Sequence, residues 1–164
     1  HIEHLQKIAH FHFEKKINKN RCMTFLSWVV VSVTFNGWIY YQSSFYYMSN
    51  ETRSWTESRR YCKESGADLI IINNREENKM FGGTSAYIGL TDSDVEARWK
   101  WVDGTNMTSG LWGPGEPNGY IKENCGVVVD NDPRWPTLFG WHDVLCNRDL
   151  QWICEKRISQ LILP

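Results

Sequence analysis

No C-x-x-C pair occurs in this chain, which argues against a zinc ribbon or a thioredoxin-type redox motif. Charge of one sign is missing too. A net charge of -1 leaves no basic footprint for nucleic acid. The apolar run at residues 23–35 is interrupted by Thr and Ser, and is shorter than the about 20 residues that span a membrane as a helix. No activated Ser or Cys nucleophile motif is present, and no phosphate-binding glycine loop. Glu116 and Glu123 could be imagined as a glycosidase acid/base pair, but nothing in the sequence raises a carboxyl pKa there. The chain is expected to have no catalytic residues and not to be an enzyme.

Aromatic residues are abundant instead: 14% of 164 residues, with nine Trp. The plainer reading is a Trp-rich core, set against an aromatic ligand platform. The length suits one domain with a short appendage. Of the five cysteines, Cys62, Cys125, Cys146 and Cys154 lie in the aromatic-rich part and Cys22 lies outside it. Two disulfides and one spare thiol is the economical account, and it implies an oxidising, extracellular setting. Two glycosylation sequons agree: Asn50-Glu51-Thr52 and Asn106-Met107-Thr108.

Residues 1–36 form a segment of different texture: polar, then basic, then apolar. Beginning at His, the chain reads as a fragment or a processed product. Basic residues before a short apolar stretch resemble a signal peptide or a truncated anchor. An extra strand, or sequence foreign to the mature protein such as a mispredicted exon, are the competing accounts. His10 and His12 alternate as strand neighbours would, but two His make no metal site. The domain proper is expected at residues 37–157, with a tail at 158–164.

Within it, Trp38-Ile39-Tyr40-Tyr41 and Phe45-Tyr46-Tyr47-Met48 read as two aromatic strands around a turn. Ser54-x-x-Glu57 is a capping box opening a helix to about Glu64, with Cys62 on its inner face and Gly66 as its stop. Ala67 to Ile72 reads as a buried strand or extended link. Asn74-x-x-Glu77 predicts a second, short helix, stopped by Gly82-Gly83. Short strands follow at Tyr87-Ile88-Gly89-Leu90, Trp99-Lys100-Trp101-Val102, Gly126-Val127-Val128-Val129, Phe139-Gly140-Trp141 and Gln151-Trp152-Ile153-Cys154. The class is α+β. Residues 103–122 carry Gly, Pro and Asn without periodicity, and a loop of that length is usually functional.

The informative cluster is Glu116-Pro117-Asn118, Glu123-Asn124 and His142-Asp143, all expected in or beside loops. A Cys125–Cys146 bridge would bring the last two stretches together. Convergent carboxylates and amide carbonyls suit Ca²⁺, which takes 6–8 oxygen ligands. A cis bond before Pro117 would turn Glu116 and Asn118 to the same side. The plainer alternative is a polar turn facing solvent. Asp92 and Glu96 form a second acidic pair, read alone as a solvated loop.

Taken together these motifs resemble the C-type lectin-like domain. The match runs from Gly37-Trp38-Ile39-Tyr40 to Trp152-Ile153-Cys154-Glu155-Lys156. It passes through Tyr87-Ile88-Gly89-Leu90, Trp99-Lys100-Trp101-Val102-Asp103-Gly104, Gly115-Glu116-Pro117-Asn118, Glu123-Asn124-Cys125 and Trp141-His142-Asp143. The chain looks most like vertebrate receptors of the CD209 or macrophage-receptor type, including fish relatives. The resemblance implies two helices packed on short, mostly antiparallel sheets, disulfides Cys62–Cys154 and Cys125–Cys146, and an unpaired Cys22. It implies a principal Ca²⁺ held by Glu116, Asn118, Glu123, His142 and Asp143, which would also contact the sugar. The accessory Ca²⁺ would fall to Asp92, Glu96 and Asn124. The Glu-Pro-Asn order resembles lectins for mannose, N-acetylglucosamine or fucose, in innate immune or cell-surface recognition. Partners would be glycans or glycoproteins and not nucleic acid. The setting would be a secreted protein or a type II receptor ectodomain, with membrane anchoring outside the domain and oligomers for avidity. A lectin-like domain that binds a protein without calcium is the alternative.

Four departures stand out. The family usually has Asn where this chain has His142, and imidazole nitrogen matches Ca²⁺ poorly. Weaker Ca²⁺ binding, and loss of sugar binding as His142 protonates, are therefore expected. At the accessory site Gly119 brings no side chain and Asn124 no charge. Thr34 and Phe45 stand near the places of a disulfide found in longer members. Residues 80–85 look short.

Overall fold

Short stretches of alternating or β-branched residues, punctuated by glycines, divide this chain into strands. The computed structural model describes residues 34–35, 37–41, 43–73, 77–78, 84–130 and 140–158. Cys22, nearly all of the 1–36 segment, and residues 80–83 of the short-looking stretch lie outside that set. So does most of the expected second helix, of which only Glu77 and Asn78 are described, both helical. Among the described residues no helix is long and apolar enough to cross a membrane.

The chain divides into two compact units, His1–Phe45 with Arg157–Pro164, and Tyr46–Lys156. In the smaller, β1 (Thr34–Phe35) pairs antiparallel with β2 (Trp38–Tyr41) across a turn at Gly37. Ser43, at φ 68°, then turns the chain into β3 (Ser44–Met48). The Tyr40 and Phe45 rings meet at 5.3 Å.

The larger unit, which begins within β3, contains the helix α1 (Trp55–Glu64). Ser54 caps it, its hydroxyl accepting from the Glu57 N–H at 3.4 Å. The capping box closes only halfway, because the Glu57 carboxylate pairs with Arg60 instead. Gly66, at φ 68°, ends the helix in the left-handed region. Trp55, Ser58 and Cys62 form the buried face. Trp55 Nε1 donates to the Ile88 carbonyl at 3.0 Å, and Cys62 bonds to Cys154.

Behind the helix lies a sheet ordered β9-β5-β7-β8, with β4 (Asp68–Leu69) on β9 and β6 (Lys100–Trp101) on β5. The long members are β5 (Thr84–Thr91), β7 (Cys125–Asp130), β8 (Gly140–Val144) and β9 (Gln151–Arg157). Only the β5–β9 pair among these is parallel. Leu69, Ile70, Ile88, Leu90, Trp141, Trp152 and Ile153 fill the core. Each such side chain contributes roughly 1.5–3 kcal/mol of hydrophobic stabilisation. Trp55, Trp99, Trp101, Trp141 and Trp152 are all buried, so the tryptophans described here serve mainly as core. Gly89 is required by packing. Its N–H donates to the Ile70 carbonyl at 2.8 Å, and a Cβ there would stand 2.7 Å from Val102 Cγ2.

Candidate functional site

β8 ends the sheet order, and the long loop at residues 103–122 attaches along it. Trp141 accepts from the Gly113 N–H at 2.9 Å and donates to the Leu111 carbonyl at 2.8 Å. Gly140 permits this approach, since a Cβ there would meet the Leu111 carbonyl oxygen at 2.6 Å. Two residues on, Asp143 holds the loop tip. Its Oδ1 accepts from the Asn118 N–H at 2.9 Å and its Oδ2 from the Gly119 N–H at 2.8 Å.

Between these anchors lies Glu116-Pro117-Asn118, and the Glu116–Pro117 bond is cis. Asn118 Nδ2 donates to Glu116 Oε1 at 2.6 Å, so the two side chains do face the same side. His142 Nδ1 lies 3.0 Å from the same Oε1. The Cys125–Cys146 disulfide and the β7–β8 ladder, with Gly126 opposite Asp143, bring Glu123-Asn124 to the same end of the sheet. His142 and Asp143, expected in or beside a loop, lie beside one, in a strand. Both are buried within β8, where His142 faces Val127 and Asp143 faces Gly126 in the antiparallel ladder with β7. Being neighbours in a strand also does not separate them functionally, since both meet the loop that crosses β8.

The site is acidic. Glu116 is pushed up to about 7, first by burial, then by a hydrogen bond and the like charge of Asp143. Asp92 is raised by burial above all, and by Asp143, although the Ala97 N–H bonded to its Oδ2 at 2.8 Å pulls the other way. Glu96, exposed, is raised by desolvation and by Asp92 and Asp143. The pair read as a solvated loop therefore splits: Asp92 is only 3% exposed, and Glu96 faces solvent.

Among the described residues, three buried side-chain oxygens have no hydrogen-bond partner: Glu116 Oε2, Asp92 Oδ1 and Asn124 Oδ1. Buried acceptors of this kind are costly unless paired. Hard oxygen donors under mutual repulsion fit a divalent cation chemically, above all Ca²⁺. As they stand, no three or more His, Cys, Asp or Glu side chains among the described residues are gathered closely enough to hold one.

Sequence reasoning missed two features of the loop. Glu123 folds over Gly119 so closely that a Cβ at Gly119 would overlap its Cβ and Oε2. The glycine thus makes room for a proposed ligand, and is more than a missing donor. Beyond it Tyr120, at φ 49°, and Ile121 project 79% and 74% exposed at the start of a 3-10 turn (Tyr120–Lys122). The only local signal was the Asn-Gly dipeptide before them.

The family model described as the Lectin C-type domain matches residues 51–156. The chain is 38% identical over 126 residues to C-type lectin domain family 4 member E of Mus musculus, covering 72% of this chain and 58% of that protein. Across the first curated relatives it spans 32% to 58% of their length. The carbohydrate-recognition domain of the mouse scavenger receptor C-type lectin superposes with a TM-score of 0.67 at 29% identity, covering 80% of this chain and all of that one. The cow C-type carbohydrate-recognition domain of CD23, solved in the presence of a GlcNAc2Man3 oligosaccharide, gives 0.66 at 27% identity, over 78% of this chain and 98% of that one.

Proposed function

Because this chain belongs to the C-type lectin domain family, we propose that it is a calcium-dependent carbohydrate-recognition domain for glycans ending in mannose, N-acetylglucosamine or fucose. The family's members bind carbohydrate and are not enzymes, in keeping with the sequence expectation. One observation carries the calcium reading. The buried Glu116 carboxylate has a raised pKa and an orphaned Oε2, beside Asp143, and a bound cation would relieve both. Glu116, Asn118, Glu123 and Asp143 would hold the principal ion through oxygen, with His142 a poor fifth donor. Asp92, Glu96 and Asn124 would serve a weaker accessory ion, two of them through the orphaned oxygens already described. Bound there, Ca²⁺ would supply open coordination positions for two neighbouring sugar hydroxyls. The carboxylates accept hydroxyl protons, the Asn118 amide donates to sugar oxygens, and Asp143 keeps the loop in register. The Glu116-Pro117-Asn118 order supports the mannose-type preference.

The recognition domain is assigned to residues 37–157, with 158–164 as a tail. The working context is extracellular recognition of glycans or glycoproteins in innate immunity, secreted or tethered outside the domain, with oligomers supplying avidity. A glycan array read with and without EDTA tests this. Mannose, fucose or N-acetylglucosamine signals that vanish with EDTA support it. Signals that survive EDTA, or appear only on galactose, would count against it.

A second reading has its own observation. Glu116 Oε1 is already engaged by Asn118 and His142, so part of the ligand set is satisfied internally. Such a site suits a lectin-like domain that binds a protein surface without calcium. A silent array, alongside a folded protein whose melting is indifferent to Ca²⁺, would favour it.

A further inference from the structure

We propose that Asn106 carries an N-linked glycan whose first sugar lies in a surface cavity that Asn106 itself lines. The cavity measures about 570 Å³, well within the range of small-ligand sites. Val95, Trp99 and Met107 give it apolar walls, and Arg98 and Lys100 give it N–H donors. Val95 is 47% exposed, so an apolar surface is left open there.

The attachment chemistry is complete at this point. Asn106-Met107-Thr108 is a sequon, and Asn106 and Thr108 are both exposed. No hydrogen bond ties down the Asn106 amide among the described residues. Its backbone, by contrast, is fixed. Asn106 bridges to Lys100, the Met107 N–H donates to the Trp99 carbonyl at 3.0 Å, and the Trp101 N–H donates to the Thr105 carbonyl at 2.8 Å. A sugar on Asn106 Nδ2 therefore starts at a set position inside the cavity wall and is not swung by a free loop. The two disulfides belong to the oxidising secretory route in which such transfer takes place.

In the transfer, Nδ2 forms a bond to the anomeric carbon of a diphosphate-linked oligosaccharide. The C–O bond to the diphosphate breaks, the diphosphate leaves with the bonding pair, and the amide gives up one proton. The ring C–H face and acetamido methyl of the first sugar then cover Val95 and Met107, while its hydroxyls accept from Arg98 and Lys100. The neutral, hydroxyl-rich occupant is thus supplied by the chain itself. Asn50, the other exposed sequon asparagine, lines no part of this cavity and serves as the reference.

The test uses the full chain secreted from eukaryotic cells, with glycans removed by an amidase on the folded protein in heavy-oxygen water. Peptide mass spectrometry should find labelled Asp at position 106, lost in Thr108→Ala and retained in Thr108→Ser. Met107 in the folded protein should be oxidised by dilute peroxide several-fold faster after release than before. Removal of the Asn50 glycan alone, by Thr52→Ala, should leave that rate unchanged. An unmodified Asn106 in secreted protein overturns the site. A Met107 rate that release does not change overturns the placement in the cavity.

Discussion

Glu116 sets the pH behaviour of the site, and its sign is opposite to that of a salt-bridged carboxylate. Its proton is held to about 7 in the fold against an ordinary 4.5. Between those values the folded chain binds more protons than the unfolded one. Without a cation, stability therefore falls as pH rises through this window, and the cost is fully present above about 7. A divalent ion needs the carboxylate ionised, so Ca²⁺ affinity should climb with pH across the same range. His142 adds to this dependence, because its imidazole binds a cation only when neutral. His142→Asn supplies an oxygen donor in its place, and should tighten Ca²⁺ roughly tenfold while flattening the pH profile. Ca²⁺ titrations of both proteins at several pH values provide the check. Equal affinities for the two at about pH 6 and 8 would sink the assignment of Glu116 and His142 to the ion.

At the scale of elements, the site depends on how one unperiodic loop is fastened to one strand. β8 supplies Trp141 and Asp143 as anchors, and the loop answers with backbone N–H groups. Capping signals and strand patterns were readable because they are local: Ser54 before α1, Gly66 after it, and the Val127 to Val129 run are each set by near neighbours. The loop's Glu116-Pro117-Asn118 was legible as a candidate site, but its fastening was not. Its hydrogen bonds to Asp143 span 24 and 25 residues, and no local pattern encodes them. Gly119 is the sharpest case, since its reason for being glycine is the Glu123 side chain folded over it. Gly119→Ala should push Glu123 aside and weaken Ca²⁺ binding. The melting temperature without calcium should fall as well, because the new methyl would stand 2.2 Å from Glu123 Cβ and the loop backbone has to shift. A calorimetric titration that finds wild-type affinity in this variant would refute the idea that Glu123 is placed by Gly119.

For the whole molecule, the two disulfides divide labour. Cys62–Cys154 joins residues 92 apart, and ties α1 to β9 across the core. Cys125–Cys146 joins residues 21 apart, at the end of the sheet where the site lies. In the chain-entropy picture the first contributes on the order of 4–5 kcal/mol and the second about 3 kcal/mol. Replacing the first pair by Ala should therefore cost more stability in denaturant unfolding. Replacing the second should cost less stability and more ligand affinity. The reverse ranking in both measurements would mean that the site does not depend on the β7–β8 end of the sheet.

The order of motifs from Tyr87-Ile88-Gly89-Leu90 to Trp141-His142-Asp143, the cysteine set and the sequons are properties of the chain by itself. They determined the family, the fold class and the disulfide-permissive setting, because each is a local chemical requirement repeated in order. Tertiary structure alone decided that Asp92 is buried while Glu96 is not, that His142 and Asp143 belong to a strand, and that Asp143 carries the loop. It also placed the Asn106 sequon in the wall of a cavity. The physical reason is common to all of these. They depend on which backbone groups meet across the sheet, and those meetings follow from packing Trp141, Trp152 and their neighbours into one core, which no run of adjacent residues can specify.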